Sequence, residues 1–437
     1  MKRKLLKWLL SGALLAGWTT IQAQQLLTLN EAIEIALKNN YDILLVKNET
    51  IIADINNTPG NAGMLPDVSL NATYNTANNT INQEFTSGLS VQRTGVGSNN
   101  LNANIALEWT VFDGFRMFAA KDRLEELQRQ SDFNLKEQLQ TTIAQVMQEY
   151  YGLVGQKMQI KATEKTLEFI RKRAEIINTQ FSVGSVSAFE VNQVNIDLNT
   201  YESNLILQQN GLNNLKMGFN TTLARDAGIE FDVPDTIVND TLMKLPAVEG
   251  DIENKNFALL SAQRSITIAQ LQKREISAQR YPWVGVTTTY SYTRQQSEAG
   301  FSLLNQSNGL NFGIGASIPL FRSFPIRTQE KIGEININTS ELVFKRLRNE
   351  VDLGYRRAYN NYLSYIDVAN IAAKISKLSN DNLSIAEGRL RQGLSTLLEV
   401  KEADRNYQDA QTRLIDAQYN LKLAEIELQR LRGELVK

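Results

Sequence analysis

The sequence predicts a mainly α-helical, exported chain that contributes four two-faced β-strands to a membrane barrel and is built by internal duplication. Three observations lead there. Two spans of more than a hundred residues hold no proline, one between Pro66 and Pro234 and the other after Pro325. Four short stretches alternate apolar and polar residues. The pattern Gly-x-x-Ser/Thr-x-x-Glu-Val is written twice, at Gly184 to Val191 and at Gly393 to Val400.

The chain opens with Lys2, Arg3 and Lys4, an apolar run from Trp8 to Trp18, and the small-residue end Ile21 to Gln24. This is the layout of a secretory leader spanning 1–23, with cleavage after Ala23. Removing the leader's four basic residues from 46 leaves 42 against 47 acidic ones, so no basic face for nucleic acid is expected. There is no cysteine and no histidine. Disulfides, the usual zinc sites and Ser/His or Cys/His nucleophile pairs are therefore impossible, and only carboxylate chemistry remains open to an enzyme. Glycine runs at Gly95 and Gly313 lack the following helix that a phosphate loop needs, so no cofactor or metal is expected and the chain reads as no enzyme.

The proline-free spans are rich in Glu, Gln, Lys, Leu and Ala, and an interior proline would break a helical ladder. Helices are expected at roughly 114–181, 188–224, 326–390 and 396–432. In the last of these, Val400, Ala403, Tyr407, Ala410, Leu414, Ala417, Leu421, Ala424, Leu428 and Leu431 recur in steps of three and four, a coiled-coil seam. Moving back 209 positions keeps the register through Val191, Val194, Leu198, Tyr201, Leu205, Gln208, Leu212 and Leu215. The same offset carries Phe112 and Phe115 onto Phe321 and Phe324, and Tyr150 onto Tyr359. The chain is a duplication, with repeats at about 24–225 and 250–437 in a single elongated unit.

Each repeat begins with two alternating stretches, 66–78 and 101–112 in the first, 282–292 and 310–321 in the second. Each is about as long as, or slightly longer than, the roughly nine to eleven residues that a tilted strand needs to cross a bilayer. Trp109 and Trp283 stand at the helix-proximal strand ends, with Phe112, Phe115, Tyr281, Phe321 and Phe324 close by in sequence, as an aromatic belt in contact with outer-membrane lipid requires. The competing reading is a soluble sheet with one buried face. Together with the leader, the matched lengths and aromatic placement favour the membrane.

Four strands cannot close a barrel, and open edges are not tolerated in hydrocarbon. Two chains give eight strands, an interior filled by side chains; three give twelve, wide enough for a polar lumen. A homotrimer is the smallest conducting assembly. Helices of about 68 residues rise roughly 100 Å, so a duct walled by coiled coils would extend far into the periplasm.

The opening Leu27 to Ile43 (LTLNEAIEIALKNNYDI), the duplicated hairpin-plus-helices layout and the two glycine-glutamate turns resemble TolC-type outer-membrane efflux proteins over essentially the whole mature chain. The resemblance implies a trimeric, 12-stranded outer-membrane barrel continuous with a periplasmic α-helical barrel, and an equatorial domain drawn here from about 25–60 and 225–255. It implies docking onto a periplasmic adaptor (membrane fusion) protein and an inner-membrane pump of the RND or ABC type, for multidrug efflux or type I secretion. The turn residues Gly184, Ser185, Val186, Ser187, Gly393, Leu394, Ser395 and Thr396 become the docking tips.

Two readings of the glutamates stay open. Ser187 with Glu190 and Thr396 with Glu399 fit a helix capping box. The resemblance instead implies that acidic residues at the positions of Glu399 and Glu402, with Glu190 beside them, ring a closed periplasmic aperture. Glu402 has no capping role and is absent from the first repeat, where Gln193 stands. The arginine and tyrosine of the family's closing latch are replaced here by Ser395 and Leu390. Two rival classes are a non-conducting envelope or adhesin protein with a coiled-coil spacer, and a periplasmic carboxylate enzyme.

Overall fold

The computed structural model describes residues 26–239, 252–299, 302–321 and 323–436. The expected leader lies outside them, as does part of the 225–255 segment. In chain order the elements are α1 (Leu29–Asn39), α2 (Tyr41–Asn56), β1 (Asp67–Glu84), β2 (Ser90–Phe112), α3 (Arg116–Ser182), α4 (Ala188–Thr222), α5 (Phe257–Ala278), β3 (Trp283–Ser297), β4 (Leu304–Ser317), α6 (Pro325–Arg391) and α7 (Leu397–Leu431). The four long helices stand within two or three residues of their expected limits. The chain divides into two units, one formed by residues up to Leu44, Gln138–Ile252 and Val351–Lys437, the other by Leu45–Glu137 and Glu253–Glu350.

The second unit carries one antiparallel sheet in the order β1-β2-β3-β4. Register pairs Leu70 with Ile105, Ile105 with Tyr290, and Tyr290 with Leu310, so apolar residues from all four strands share a face. The opposite face aligns Asn71, Asn104, Ser291 and Gly309, and the Asn71 amide donates to the Asn104 side-chain oxygen at 3.2 Å. Leu70, Ile105, Tyr290, Leu310, Phe312 and Ile314 are all exposed. A soluble sheet buries such a face; this one presents it outward.

The strands differ from expectation at their ends. β1 and β2 run beyond 78 and begin before 101, because the polar Asn, Gln and Thr residues of the hairpin continue to pair as far as Glu84 with Ser90. A register shift between Asn79 and Ile81 lies beside Gly95, whose φ of 76° is open to glycine. β4 begins at Leu304 and stops at Ser317, two residues before Pro319, which cannot donate to a ladder.

Helices α1, α2 and α5 were not expected, since proline-free length was the criterion and these lie in shorter stretches, before Pro59 and between Pro246 and Pro282. Their local signals are sound. Thr28 and Glu31 form a full capping box for α1, and the Asn256 side chain accepts from the Leu259 N–H at the start of α5. Within the second unit, α5 is tied to the first turns of α3 by Arg123 to Glu275 (2.5 Å) and Arg264 to Glu126 (3.2 Å).

The first unit has its core where α1 and the 219–237 segment pack on the middle of α3. Ala32, Val146, Leu153, Phe219, Leu223 and Phe231 are buried together. Phe219 stands 6.2 Å from Tyr150 and 5.8 Å from Phe231 between ring centroids, and the Tyr150 hydroxyl donates to the Leu27 carbonyl at 3.0 Å. Truncating Phe219 would cost about 3–5 kcal/mol. Eight of the ten seam residues of α7 are buried, while Ala403 and Leu414 are half-buried. The corresponding α4 seam is only half-buried, except Val194, which is buried, and Leu215, which is exposed.

Duplication is visible in backbone geometry. Phe115 and Phe324 both have positive φ, 70° and 61°, and each ring meets the partner three residues earlier edge-on, 5.2 Å for Phe112 and 5.7 Å for Phe321. The ends of α4 and α7 also match. Ala224 (φ 51°) and Gly433 (φ 72°) hold the same left-handed position, and the next residue's N–H returns to Asn220 and Gln429 respectively. An alanine there bears a steric cost that glycine escapes. Ala224→Gly should therefore stabilise the protein by about 0.5–1 kcal/mol, the glycine's greater unfolded-state entropy taking back part of the gain. An upward shift of the unfolding midpoint in detergent checks it, with Gly433→Ala moving the other way.

Candidate functional site

Both turns between paired helices end in the same hydrogen-bond arrangement. At the end of α3, Gly184 (φ 74°) donates to the Phe181 carbonyl at 3.0 Å, and Ser185 to Gln180 at 2.8 Å. At the end of α6, Gly393 (φ 73°) donates to Leu390 at 3.0 Å, and Leu394 to Arg389 at 2.9 Å. This satisfies carbonyls that a helix end leaves orphaned, and it needs a residue tolerant of the left-handed region. Nothing lies within 4 Å of either glycine's missing Cβ, so the requirement is conformational alone.

The next helix in each pair starts at once. Ser187 has extended backbone, and its N–H donates to Glu190 Oε2 at 2.8 Å, joined by its hydroxyl. The second turn is built differently. Thr396 Oγ1 accepts from the Glu399 N–H at 3.2 Å, but the Glu399 carboxylate takes the Ser395 hydroxyl at 2.5 Å. The two glutamates are caps of unequal construction. Hydrogen bonds from Ser187 hold the Glu190 carboxyl below the usual range; for Glu399 the Ser395 hydroxyl does so, with the Arg389 charge and the Thr396 turn adding to it. Glu402 lies one turn beyond Glu399, exposed, and its carboxylate accepts from the Asn406 amide at 3.5 Å. It takes no part in the cap.

Ser395, at the position where the resemblance expects an arginine, thus serves Glu399. Leu390, at the tyrosine position, is buried, while its neighbour Arg389 donates to the Leu394 carbonyl at 3.1 Å and braces the turn. Of the other turn residues, Ser185, Leu394 and Thr396 are exposed and Val186 is half-buried. The sequence reading missed Phe189 and Leu398. They are equivalent positions in the two repeats, 73% and 75% exposed, one on each turn. The 209-residue offset was the signal that could have found them.

The aromatic residues fall at the helix-proximal strand ends as expected. Trp109 pairs across the sheet with Val286, and Trp283 with Ser317. The Trp109 indole N–H donates to the Met64 carbonyl at 3.0 Å, and that of Trp283 to Thr110 Oγ1 at 3.3 Å. Phe115, Tyr281, Phe321 and Phe324 are exposed; Phe112 is half-buried. None of the described helices is long and apolar enough to cross a membrane, and among the described residues no group of acidic side chains is arranged to hold a metal ion.

An outward apolar sheet face, a polar opposite face and tryptophans at one rim define a subunit of an outer-membrane channel. The sequence profile described as outer membrane efflux protein matches residues 32–214 and 250–434, and the chain belongs to that family. It is similar to the outer membrane protein TolC of Escherichia coli, 22% identical over 78% of this chain and 71% of that protein. The TolC of Vibrio cholerae is 21% identical over 99% of this chain and 96% of its own length. The fold resembles the Campylobacter jejuni CmeC outer membrane channel, with a TM-score of 0.80 at 16% identity over 94% of this chain and 86% of that one. It also resembles the Neisseria gonorrhoeae MtrE channel in its open state, with a TM-score of 0.76 at 15% identity over 94% and 89% of the two chains. The protein resides in the outer membrane, where it is the exit duct of an efflux or secretion system.

The caps predict a pH dependence. A carboxyl held low in the folded state contributes stability that is complete above its ordinary value of 4.5 and is lost as pH falls through the lower folded value. Ser187→Ala should raise the Glu190 titration toward 4.5 and leave Glu399 unchanged, whereas Ser395→Ala should do the reverse. Carboxyl-resolved NMR titration of the detergent-solubilised protein reads both.

Proposed function

We propose that three copies of this chain close a 12-stranded barrel and form a passive, non-enzymatic conduit that receives its cargo from a periplasmic adaptor and an inner-membrane pump. The observation that carries this reading is the inverted polarity of the sheet together with its two open edges, β1 and β4. In hydrocarbon an unpaired edge costs several kcal/mol per orphaned group, and pairing β4 of one copy with β1 of the next removes both edges. Twelve strands leave a lumen, and the face assigned to it carries Asn, Ser and Thr. Residues 26–60 and the described part of 225–255 take the equatorial role.

In this reading the two turns are the docking tips. Phe189 and Leu398 are large apolar side chains left in water, and an adaptor's own helical hairpin would cover them. Gly184 to Ser187 and Gly393 to Thr396 form the rest of that surface. Glu402 from each copy, with Glu399 and Glu190 nearby, supplies a ring of carboxylates at the periplasmic aperture that attracts cations. No cofactor is needed for passive conduction.

In planar bilayers, Glu402→Ala should lower cation selectivity and weaken block by multivalent cations. Unchanged reversal potential and unchanged block would remove Glu402 from the aperture. For docking, Phe189→Asp combined with Leu398→Asp should abolish cross-linking to the adaptor in cells while leaving conductance intact. Sedimentation of the detergent complex tests the assembly itself and should return the mass of three chains.

A further inference from the structure

Deep in the first unit, a few turns from the tips, charged side chains are buried between the two helical hairpins. Arg173 on α3 lies 3.4 Å from Asp404 on α7, and their side chains are only 4% and 5% exposed. Asp197 on α4 pairs with Lys401 on α7 at 2.7 Å and accepts from the Gln193 amide at 3.2 Å. Glu387 on α6 feels Arg173, Arg391 and Lys172, and Tyr201 on α4 feels Asp404, Arg173, Asp197 and Asp409. Every helix of both hairpins therefore contributes a titratable group that faces Asp404 or its partner.

The cluster is incompletely satisfied. Nε and one terminal nitrogen of Arg173, Oδ1 of Asp404 and Oδ2 of Asp197 are buried without a hydrogen-bond partner among the described residues. Of the cations that act on the three carboxylates (Asp404, Asp197, Glu387), only Arg173 is buried; Lys401, Lys172 and Arg391 approach from exposed positions. Burial pushes Asp404 up to about 6 against the pull of Arg173, and Glu387 is raised for the same reason.

The duplication supplies a control built into the chain. At the offset of 209, Arg173 corresponds to Asn382, Asp404 to Asn195, Glu387 to Asn178, Asp197 to Asn406 and Lys401 to Asn192. Each of the five charged positions is asparagine in the other repeat. Helix packing of this type is therefore compatible with neutral amides of similar size, and the charges answer to something other than the packing.

We propose that the Arg173–Asp404 cluster is a proton-operated clamp between the α3/α4 and α6/α7 hairpins: a bound proton holds the hairpins packed, and its loss loosens them. A carboxyl raised by burial binds its proton more tightly in the packed state than in a state where water reaches it. The packed state is thus favoured at low pH, and that preference is lost as pH rises through about 6. Ionised Asp404 still has Arg173 beside it, but a buried pair recovers its desolvation cost only with full hydrogen bonding, which is missing here. The clamp belongs to one chain and does not depend on the duct reading.

The absence of cysteine makes a direct test clean. Ser185→Cys and Gln392→Cys, one exposed position on each tip, carry spin labels, and labelled chains are diluted with unlabelled ones so that distances are read within one chain. From well below pH 3.8 to well above 6 the packed-to-loose ratio should fall by on the order of 100-fold, the limit set by the difference between solvated and buried values. Asp404→Asn, which copies Asn195, should remove the Asp404 part of that fall and leave only the dependence that Glu387 contributes. Arg173→Gln removes the cation that lowers Asp404 and should move the midpoint upward, a displacement that lost stability alone would not cause. Should Asp404→Asn prove unstable, the double variant Asp404→Asn with Arg173→Gln, neutral at these two positions as the other repeat is, should show the same reduced dependence. A wild-type distance distribution constant across the range would overturn the clamp, as would a neutral variant that titrates like the wild type.

Discussion

The constraint on which the rest depends is that backbone amides and carbonyls inside a bilayer must find partners in protein. The sheet of one chain meets this in its interior ladders and fails at β1 and β4. Its apolar residues already point outward, so the chain cannot bury that face against helices of its own without placing Asn71, Asn104 and their polar neighbours in lipid. Association edge to edge satisfies the ladder and keeps the amide face wet. In the proposed trimer, assembly would thus follow from the register of four strands rather than from a separate interface.

The duplication then halves the number of problems to be solved. One strand-to-helix corner serves twice, each time with a phenylalanine in the left-handed region held edge-on against the phenylalanine three residues before it. A bulky residue with positive φ is strained, and it persists where its surroundings determine it. One helical turn motif also serves twice, with the same glycine and the same return hydrogen bonds. Departures between copies are then informative: Ala224 against Gly433, Gln193 against Glu402, and five charges against five asparagines. Backbone solutions are shared, whereas side chains differ where the two hairpins must do different things.

Much of this could be read from the residues, for identifiable reasons. Long helices were legible because proline positions and a seven-residue seam are one-dimensional signals, and the capping glutamates because serine or threonine three residues ahead is a local one. The extent of β1 and β2 was not legible. Asn, Gln and Thr beyond Ala77 are as suited to a loop as to a strand, and only cross-strand pairing decides between them. Helix α5 was hidden because it lies in the short span between Pro246 and Pro282, where proline-free length gives no signal. The buried cluster was invisible because its members lie on four helices and up to 231 positions apart. No local pattern announces such a meeting.

The acidic residues of the tips and the buried cluster divide two electrostatic tasks by their solvation. Glu190 is half-buried and Glu399 exposed, and hydroxyl and amide donors stabilise their ionised forms, so their charge at the tips persists at any pH near neutral. Asp404, only two residues beyond Glu402, is removed from water, and its charge is conditional. The first turn of a helix is a favourable place for a permanent anion, because the unpaired N–H groups there welcome it. A buried position beside a coiled-coil seam is unfavourable for the same group, which makes Asp404 sensitive to protons. In the proposed clamp, a chain with no histidine has its responsive group in a carboxylate, raised first by burial and further by Glu387 and Asp197. In the proposed duct, fixed charge at the tips and variable charge behind them would let attraction of cations and packing of the hairpins be set independently.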